Sequence, residues 1–123
     1  MEMQNQIKEY VAQYEKEVRK LADQLRNECM PQLTEELFSE FETNGNRIRY
    51  EAVYFGRRKF LSVLGLASVI WREKEDIQKL EEVIREICAE ECWALPAHVR
   101  RKENPNWRGV IDLFASETGQ TLA

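Results

Sequence analysis

The scarcity of helix-breaking residues is the feature that most restricts the fold of this chain. Its 123 residues include three prolines and five glycines, which occur at a few points between long periodic segments. A chain of many strands would need turns rich in glycine and proline at short intervals. The sequence therefore predicts an all-α fold, built from antiparallel helical hairpins.

The N-terminal segment carries one continuous apolar stripe. Its members recur at alternating spacings of four and three residues, and they are Ile7, Val11, Tyr14, Val18, Leu21 and Leu25. This spacing is typical of one helix face, so we expect an amphipathic helix packed against a neighbour. Because the stripe also follows a heptad, a coiled-coil hairpin and a dimer seam both stay open.

Further helices follow from caps, breakers and periodicity. Thr34 is a suitable N-cap for a short second helix, which the turn-forming residues 43–46 end. A helix that is apolar nearly all round is predicted from Tyr50 to Ile70, and an amphipathic one from Glu73 to Glu91. The short turn between them predicts an antiparallel pair.

Domain boundaries follow from the turn at 43–46. We expect residues 1–45 to form an N-terminal helical hairpin and residues 46–123 to form a second unit. A last helix is predicted to start near 110–112. Its apolar pattern is unfinished at Ala123, so we expect the chain to be the front part of a longer protein.

The net charge, the apolar runs and the cysteine and histidine counts indicate which partners and which cellular compartment to expect. The net charge of −4 gives no reason to expect nucleic acid. No apolar run approaches the roughly 20 residues needed to span a bilayer. The polar N-terminus and the odd number of cysteines favour a cytoplasmic protein with free thiols. With one histidine and no second cysteine pair, we expect neither a metal nor another cofactor.

A few residues are candidates for chemistry. His98 is the only histidine, and histidine is the residue type whose unperturbed pKa lies near neutral pH, so it is the first candidate for proton transfer. Trp93 offers a face that can stack on a sugar ring. Each also has an ordinary structural interpretation, backbone hydrogen bonding for His98 and core packing for Trp93. For Arg57 and Arg58 a solvated or ion-paired role is favoured over ligand binding.

The most basic patch is a weaker candidate for polyanion binding. It consists of Trp107 and four cationic residues, Arg100, Arg101, Lys102 and Arg108. A charged solvated loop is the favoured interpretation, because Glu103 interrupts the patch and the loop is short.

Three motifs resemble the opening of the catalytic domain of the heparinase II/III family of polysaccharide lyases. They are Tyr-Glu-Ala-Val-Tyr-Phe-Gly-Arg-Arg (50–58), Trp-Ala-Leu-Pro-Ala-His (93–98) and Ile-Asp-Leu-Phe-Ala-Ser-Glu-Thr-Gly (111–119). The resemblance implies that the helices form the opening part of an incomplete (α/α) toroid. It also implies β-elimination at uronic acids of an acidic polysaccharide or oligosaccharide.

The same resemblance implies where a substrate would bind. Trp93, His98, Asp112 and Glu117 match the family's pattern and become candidates for the wall of the sugar groove. The family's catalytic base and acid come from later elements, so no catalytic residue is assigned and the chain alone is expected to be inactive.

Two alternatives stay open beside the lyase interpretation. One is a non-catalytic helical interaction module that uses the N-terminal stripe, and the other is part of an α/α-barrel glycoside hydrolase. Uncovered apolar sides on the 50–70 and 110–122 helices would favour a toroid fragment and leave self-association open. A complete module would bury them.

Overall fold

A computed structural model describes all 123 residues as six α-helices and one 3-10 turn, without a β-strand. The elements, in chain order, are α1 (Glu2–Arg26), α2 (Glu35–Asn44), α3 (Ile48–Trp71), α4 (Lys74–Cys88), α5 (Pro96–Val99), the 3-10 turn (Trp107–Gly109) and α6 (Leu113–Leu122). The predicted all-α class is confirmed. No helix combines the length and the hydropathy that a membrane crossing requires.

The ends of α2 are set by the residues that the sequence singles out. The Leu37 N–H donates to the Thr34 hydroxyl oxygen at 3.3 Å, which makes Thr34 the N-cap. Gly45 follows the helix with φ of +75°, a left-handed conformation that glycine adopts without a steric penalty.

Helix α3 is the centre of the fold. It packs against α1, α2 and α4, and its buried residues lie on several sides of the helix. Arg57, in its first half, donates a hydrogen bond to the Glu86 carbonyl near the end of α4. Since α4 begins three residues after α3 ends, the two helices are antiparallel, as predicted.

Two apolar clusters lie on either side of the α3 midpoint. The first joins the second half of α1 to α3 and α4 and includes Leu25, Leu64 and Ile87. The second surrounds Tyr54 and contains residues of α2 and of the segment 92–107. Helix α1 packs chiefly on α3 and α4, whereas α2 packs on α3 and α5. Both N-terminal helices therefore rest on residues 46–123.

The apolar stripe of α1 is helical throughout but buried only in its second half. Val18 and Leu25 are 4% and 3% exposed, whereas Ile7 and Tyr14 are 55% and 50% exposed. Every residue from 2 to 17 is exposed. We call this segment the α1 arm. The predicted helix is therefore confirmed, while the expected packing holds only from Val18 onward.

Ion pairs join the packed half of α1 to the start of α4. The carboxylate of Asp76 is fully buried, and the Arg26 Nε donates to its Oδ1 at 2.7 Å. The Arg19 Nη2 donates to Glu73 at 2.7 Å, and its guanidinium lies over the Trp71 ring. The α3–α4 turn is therefore level with position 19 of α1.

Candidate functional site

Asp112 joins two of the sequence motifs into one structure. Its Oδ1 accepts the Ala115 N–H at 2.7 Å, which caps α6. Its Oδ2 accepts the Leu95 N–H at 3.0 Å and lies 2.7 Å from Nδ1 of His98. One carboxylate thus fixes both the start of α6 and the short helix that carries the imidazole.

These contacts determine the charge of the Asp112 carboxylate and which atom carries the proton between Asp112 and His98. Burial acts to raise the pKa of Asp112, but hydrogen bonds from His98, Leu95 and Ala115 outweigh it and lower that pKa. An ionised carboxylate has no proton to give, so Nδ1 of His98 donates and Nε2 of the neutral ring is left as an acceptor. The His98 side chain is 38% exposed, against 9% for Asp112.

Aromatic rings extend this site along the surface. The imidazole of His98 stacks on Phe114, with centroids 6.2 Å apart and planes 11° apart. Phe114 in turn meets Phe55 at 5.4 Å, and Phe55 is 45% exposed. These three residues, with Asp112 and Glu117, form what we call the His98 face.

Glu117 belongs to this face through a small cavity. The cavity has a volume of about 130 Å³, and it is lined by Tyr54, Phe55, Arg58, Leu61, Ser62, Phe114, Glu117, Thr118 and Thr121. Glu117 is exposed at its rim. The volume is below the range typical of small-molecule pockets, about 300–1,000 Å³, so the cavity fits a substituent of a larger ligand better than a whole ligand.

A buried ion network lies beneath the cavity. Glu90 accepts from Arg57 Nε at 3.1 Å and from Arg58 Nη1 at 2.7 Å. Arg57 also donates to the Pro31 carbonyl at 2.9 Å, and Arg58 donates to the Thr118 hydroxyl at 3.0 Å. The ion-paired role predicted for the two arginines is what the structure contains.

Tyr54 completes the floor of the site. Its hydroxyl donates to the Trp93 carbonyl at 2.7 Å, and the Arg58 guanidinium lies 4.0 Å from its ring centroid. Burial raises the pKa of Tyr54, while the Thr118 hydroxyl and Arg58 act in the opposite direction. Tyr54 therefore carries its proton at neutral pH and positions neighbouring groups.

Trp93 lies apart from the other predicted site residues. Its indole N–H donates to the Ile87 carbonyl at 2.9 Å, and its ring packs against the first apolar cluster. It borders a cleft that also contains Ala115 and Ser116, whose positions are rotated about 100° and about 160° around α6 from that of Phe114. The structure thus brings together His98, Asp112 and Glu117 but not Trp93, whose contact with substrate stays a prediction.

The predicted basic patch is divided between packing and solvent. Arg101 pairs with Glu35 at 2.6 Å and with Glu42, and its guanidinium lies over the Phe38 ring. Trp107 is buried. The solvated-loop interpretation holds for Arg100, which is 78% exposed. Arg101 instead packs over the Phe38 and Trp107 rings of the second apolar cluster.

The remaining donors do not gather into a metal centre. No group of three or more His, Cys, Asp or Glu residues is arranged to hold an ion. Cys29 and Cys88 are exposed free thiols, and Cys92 is a buried one. Burial raises the pKa of the Cys92 thiol, so this residue is protonated at neutral pH.

The comparisons with known proteins found no matching family model, no matching curated protein and no matching solved structure. Any functional assignment therefore depends on the motifs and on the site geometry. Sequence reasoning missed Glu90, Thr118 and Phe114 as parts of this site. Of these, Phe114 and Thr118 lie inside the motif 111–119, and that position is the one signal that pointed to them, whereas Glu90 lies outside every motif.

Proposed function

We propose that this chain is the opening helical part of a heparinase II/III-like polysaccharide lyase, and that the His98 face is part of the wall of its sugar groove. The observation that carries the proposal is the double role of Asp112. Its hydrogen bonds unite motifs 93–98 and 111–119 and leave the outer nitrogen of His98 free.

The chemistry of the face suits an acidic sugar. A neutral imidazole accepts a hydrogen bond from a sugar hydroxyl, and a protonated one donates to a uronate carboxylate. The rings of Phe55 and Phe114 offer apolar surface for the flat side of a pyranose. Glu117 can accept hydroxyl hydrogen bonds at the cavity rim. Arg58 takes no part in neutralising substrate, because Glu90 already pairs with it.

The exposed apolar side chains of α3 support the toroid part of the proposal. Leu66, Val69 and Ile70 are 40%, 74% and 40% exposed, and Leu113 on α6 is 75% exposed. An array of helical hairpins buries such residues under the next pair. Under this proposal the base and acid of β-elimination lie on elements beyond these helices, so the chain contributes binding and not proton transfer.

Binding is tested by titrating the chain with oligosaccharides of uronic acid and following its NMR spectrum. We expect shifts confined to His98, Phe114, Phe55 and their neighbours, and a loss of about tenfold in affinity for His98→Ala. Arg85→Ala, at a 77% exposed arginine on α4 outside the site, is the matched control. A neutral glucan of equal length separates recognition of the carboxylate from ring stacking. Shifts absent from the His98 face with every acidic glycan would reject the proposal.

A further inference from the structure

The α1 arm presents an apolar face that no part of the chain covers. Met3, Ile7, Tyr10, Val11 and Tyr14 are 73%, 55%, 75%, 48% and 50% exposed. At 100° per residue these five side chains fall within an arc of about 100° on one side of the helix. The arm extends roughly 24 Å beyond the first buried turn of α1.

Such an arm needs a partner to be stable. An isolated helix of this length is marginal in water, since most helical stability comes from packing of the apolar face. We propose that the α1 arm pairs with the arm of a second copy of this chain in an antiparallel two-helix seam, which makes the protein a dimer. This inference is independent of the proposed function, because it uses none of the groove residues.

The charges beside the apolar face favour a second copy as the occupant. The arm carries two lysines and four glutamates, so it has no strong field of one sign that would select an oppositely charged partner. In the heptad of Ile7, Val11 and Tyr14, the flanking positions next to the seam include Lys8 and Glu15.

The direction of pairing follows from those two residues. In an antiparallel seam with Val11 beside Tyr14 of the second copy, Lys8 lies opposite Glu15, and the two-fold axis repeats that ion pair. A parallel seam would place Lys8 beside Met3 and Glu15 beside Tyr10, without an ion pair. The antiparallel arrangement is therefore favoured by charge.

The length of the arm fits the same arrangement. Arg19 contacts Glu73 and the Trp71 ring, so the α3–α4 turn is level with position 19. With Lys8 opposite Glu15, Met3 of one copy is level with position 20 of the other. The tip of each arm then reaches the α3–α4 turn of the second copy. This adds buried area toward the about 800 Å² per partner that a stable interface needs.

The oligomeric state of the full chain is the first test. Sedimentation or light scattering across a concentration series should show a monomer–dimer equilibrium. Val11→Ser should weaken dimerisation by at least tenfold and leave the urea unfolding of the dilute monomer unchanged, because Val11 lies in the arm and is 48% exposed. Leu113→Ser, at an apolar site on α6 that is 75% exposed, should leave dimerisation unchanged. The proposal would be overturned if the chain were a monomer at all concentrations, or if Val11→Ser left the dimerisation constant unchanged.

Charge exchange is the second test, and it addresses the direction. Lys8→Glu and Glu15→Lys should each weaken the dimer by about tenfold, because two ion pairs become repulsive contacts. The double variant restores opposite charges across an antiparallel seam and should regain wild-type dimerisation. Failure of the double variant to recover would overturn the antiparallel arrangement.

Discussion

The two halves of α1 share one pattern and have opposite environments. Val18 and Leu25 lie under α3 and α4, whereas Ile7 and Tyr14, on the same stripe, face solvent. The difference comes from the α3–α4 turn, beyond which no helix accompanies α1. An apolar period determines which side of a helix seeks burial, but the length of the neighbouring helices determines how much of that side is covered.

Charged residues differ between the two halves in the same way. Arg19 and Arg26 pair with Glu73 and with the buried Asp76, while no ion pair connects the α1 arm to another helix. Stability should therefore be concentrated in the packed body and nearly absent from the arm. The variants below test that contrast, from the largest effect to the smallest.

Glu90→Ala should have the largest effect. It leaves the guanidinium of Arg57, whose side chain is 4% exposed, without the buried carboxylate that accepts from its Nε. Removal of one partner of a buried pair costs about 3–5 kcal/mol. Glu15→Ala removes a glutamate of the arm and should change stability by less than about 0.5 kcal/mol. Urea unfolding at low protein concentration measures both. Equal losses would contradict the contrast between body and arm.

Leu25→Ala and Ile7→Ala form a pair on the same stripe. Leu25 is 3% exposed, so its truncation should leave a cavity and cost about 2–5 kcal/mol. Ile7 is 55% exposed, and its truncation in the monomer should cost less than about 0.5 kcal/mol. Thermal unfolding of dilute protein compares them. A comparable destabilisation by Ile7→Ala would show that the arm packs on the body.

Asp112→Ala should cost about 1–2 kcal/mol, because α6 loses its cap and two other donors lose their acceptor. Glu117→Ala, on the same helix but without a side-chain hydrogen bond, is the control and should be nearly neutral. The imidazole ¹⁵N shifts of His98 should move from one tautomer toward a mixture in Asp112→Ala alone. Unchanged shifts would contradict the assignment of the Nδ1 proton.

Acidification should reduce the contribution of Asp112 to the free energy of unfolding, by less than the Asp112→Ala substitution does. The folded pKa of Asp112 is below its ordinary value of about 3.9. The ionised group therefore stabilises the fold fully above that value, and the contribution is lost as the pH falls through the lower folded pKa. The stability difference between wild type and Asp112→Asn should therefore shrink as the pH falls below about 4. A difference that stays the same or grows below that pH would contradict the lowered pKa.

Much of the helical framework was predictable from local signals. The Thr34 cap, the left-handed Gly45 and the antiparallel α3–α4 pair all follow from residues close together in the chain. These helix ends depend on backbone geometry within one or two turns, which the residue types themselves determine. His98 was selected as the only histidine and Asp112 through the family resemblance, and neither signal indicated the hydrogen bond between them.

The rest depends on which helix faces meet. Glu90 resembles any glutamate of a solvated face, yet it is buried because Arg57 and Arg58 approach it from α3. Asp76 is buried for a similar reason, through Arg26. Trp93 was grouped with His98 by sequence proximity, whereas its ring packs against the first apolar cluster. Such contacts span dozens of residues and leave no periodic trace in the sequence.

The carboxylate of Asp112 contacts His98, Leu95 and Ala115 at once, which limits how the imidazole can be altered by mutation. Shortening of this side chain would remove the acceptor of the imidazole Nδ1–H and the cap of α6 at the same time. The orientation of the ring and the start of α6 therefore cannot be changed separately through Asp112. Engineering of His98 must instead proceed through its stacking neighbour Phe114, where ring substitutions reach the imidazole without touching a cap.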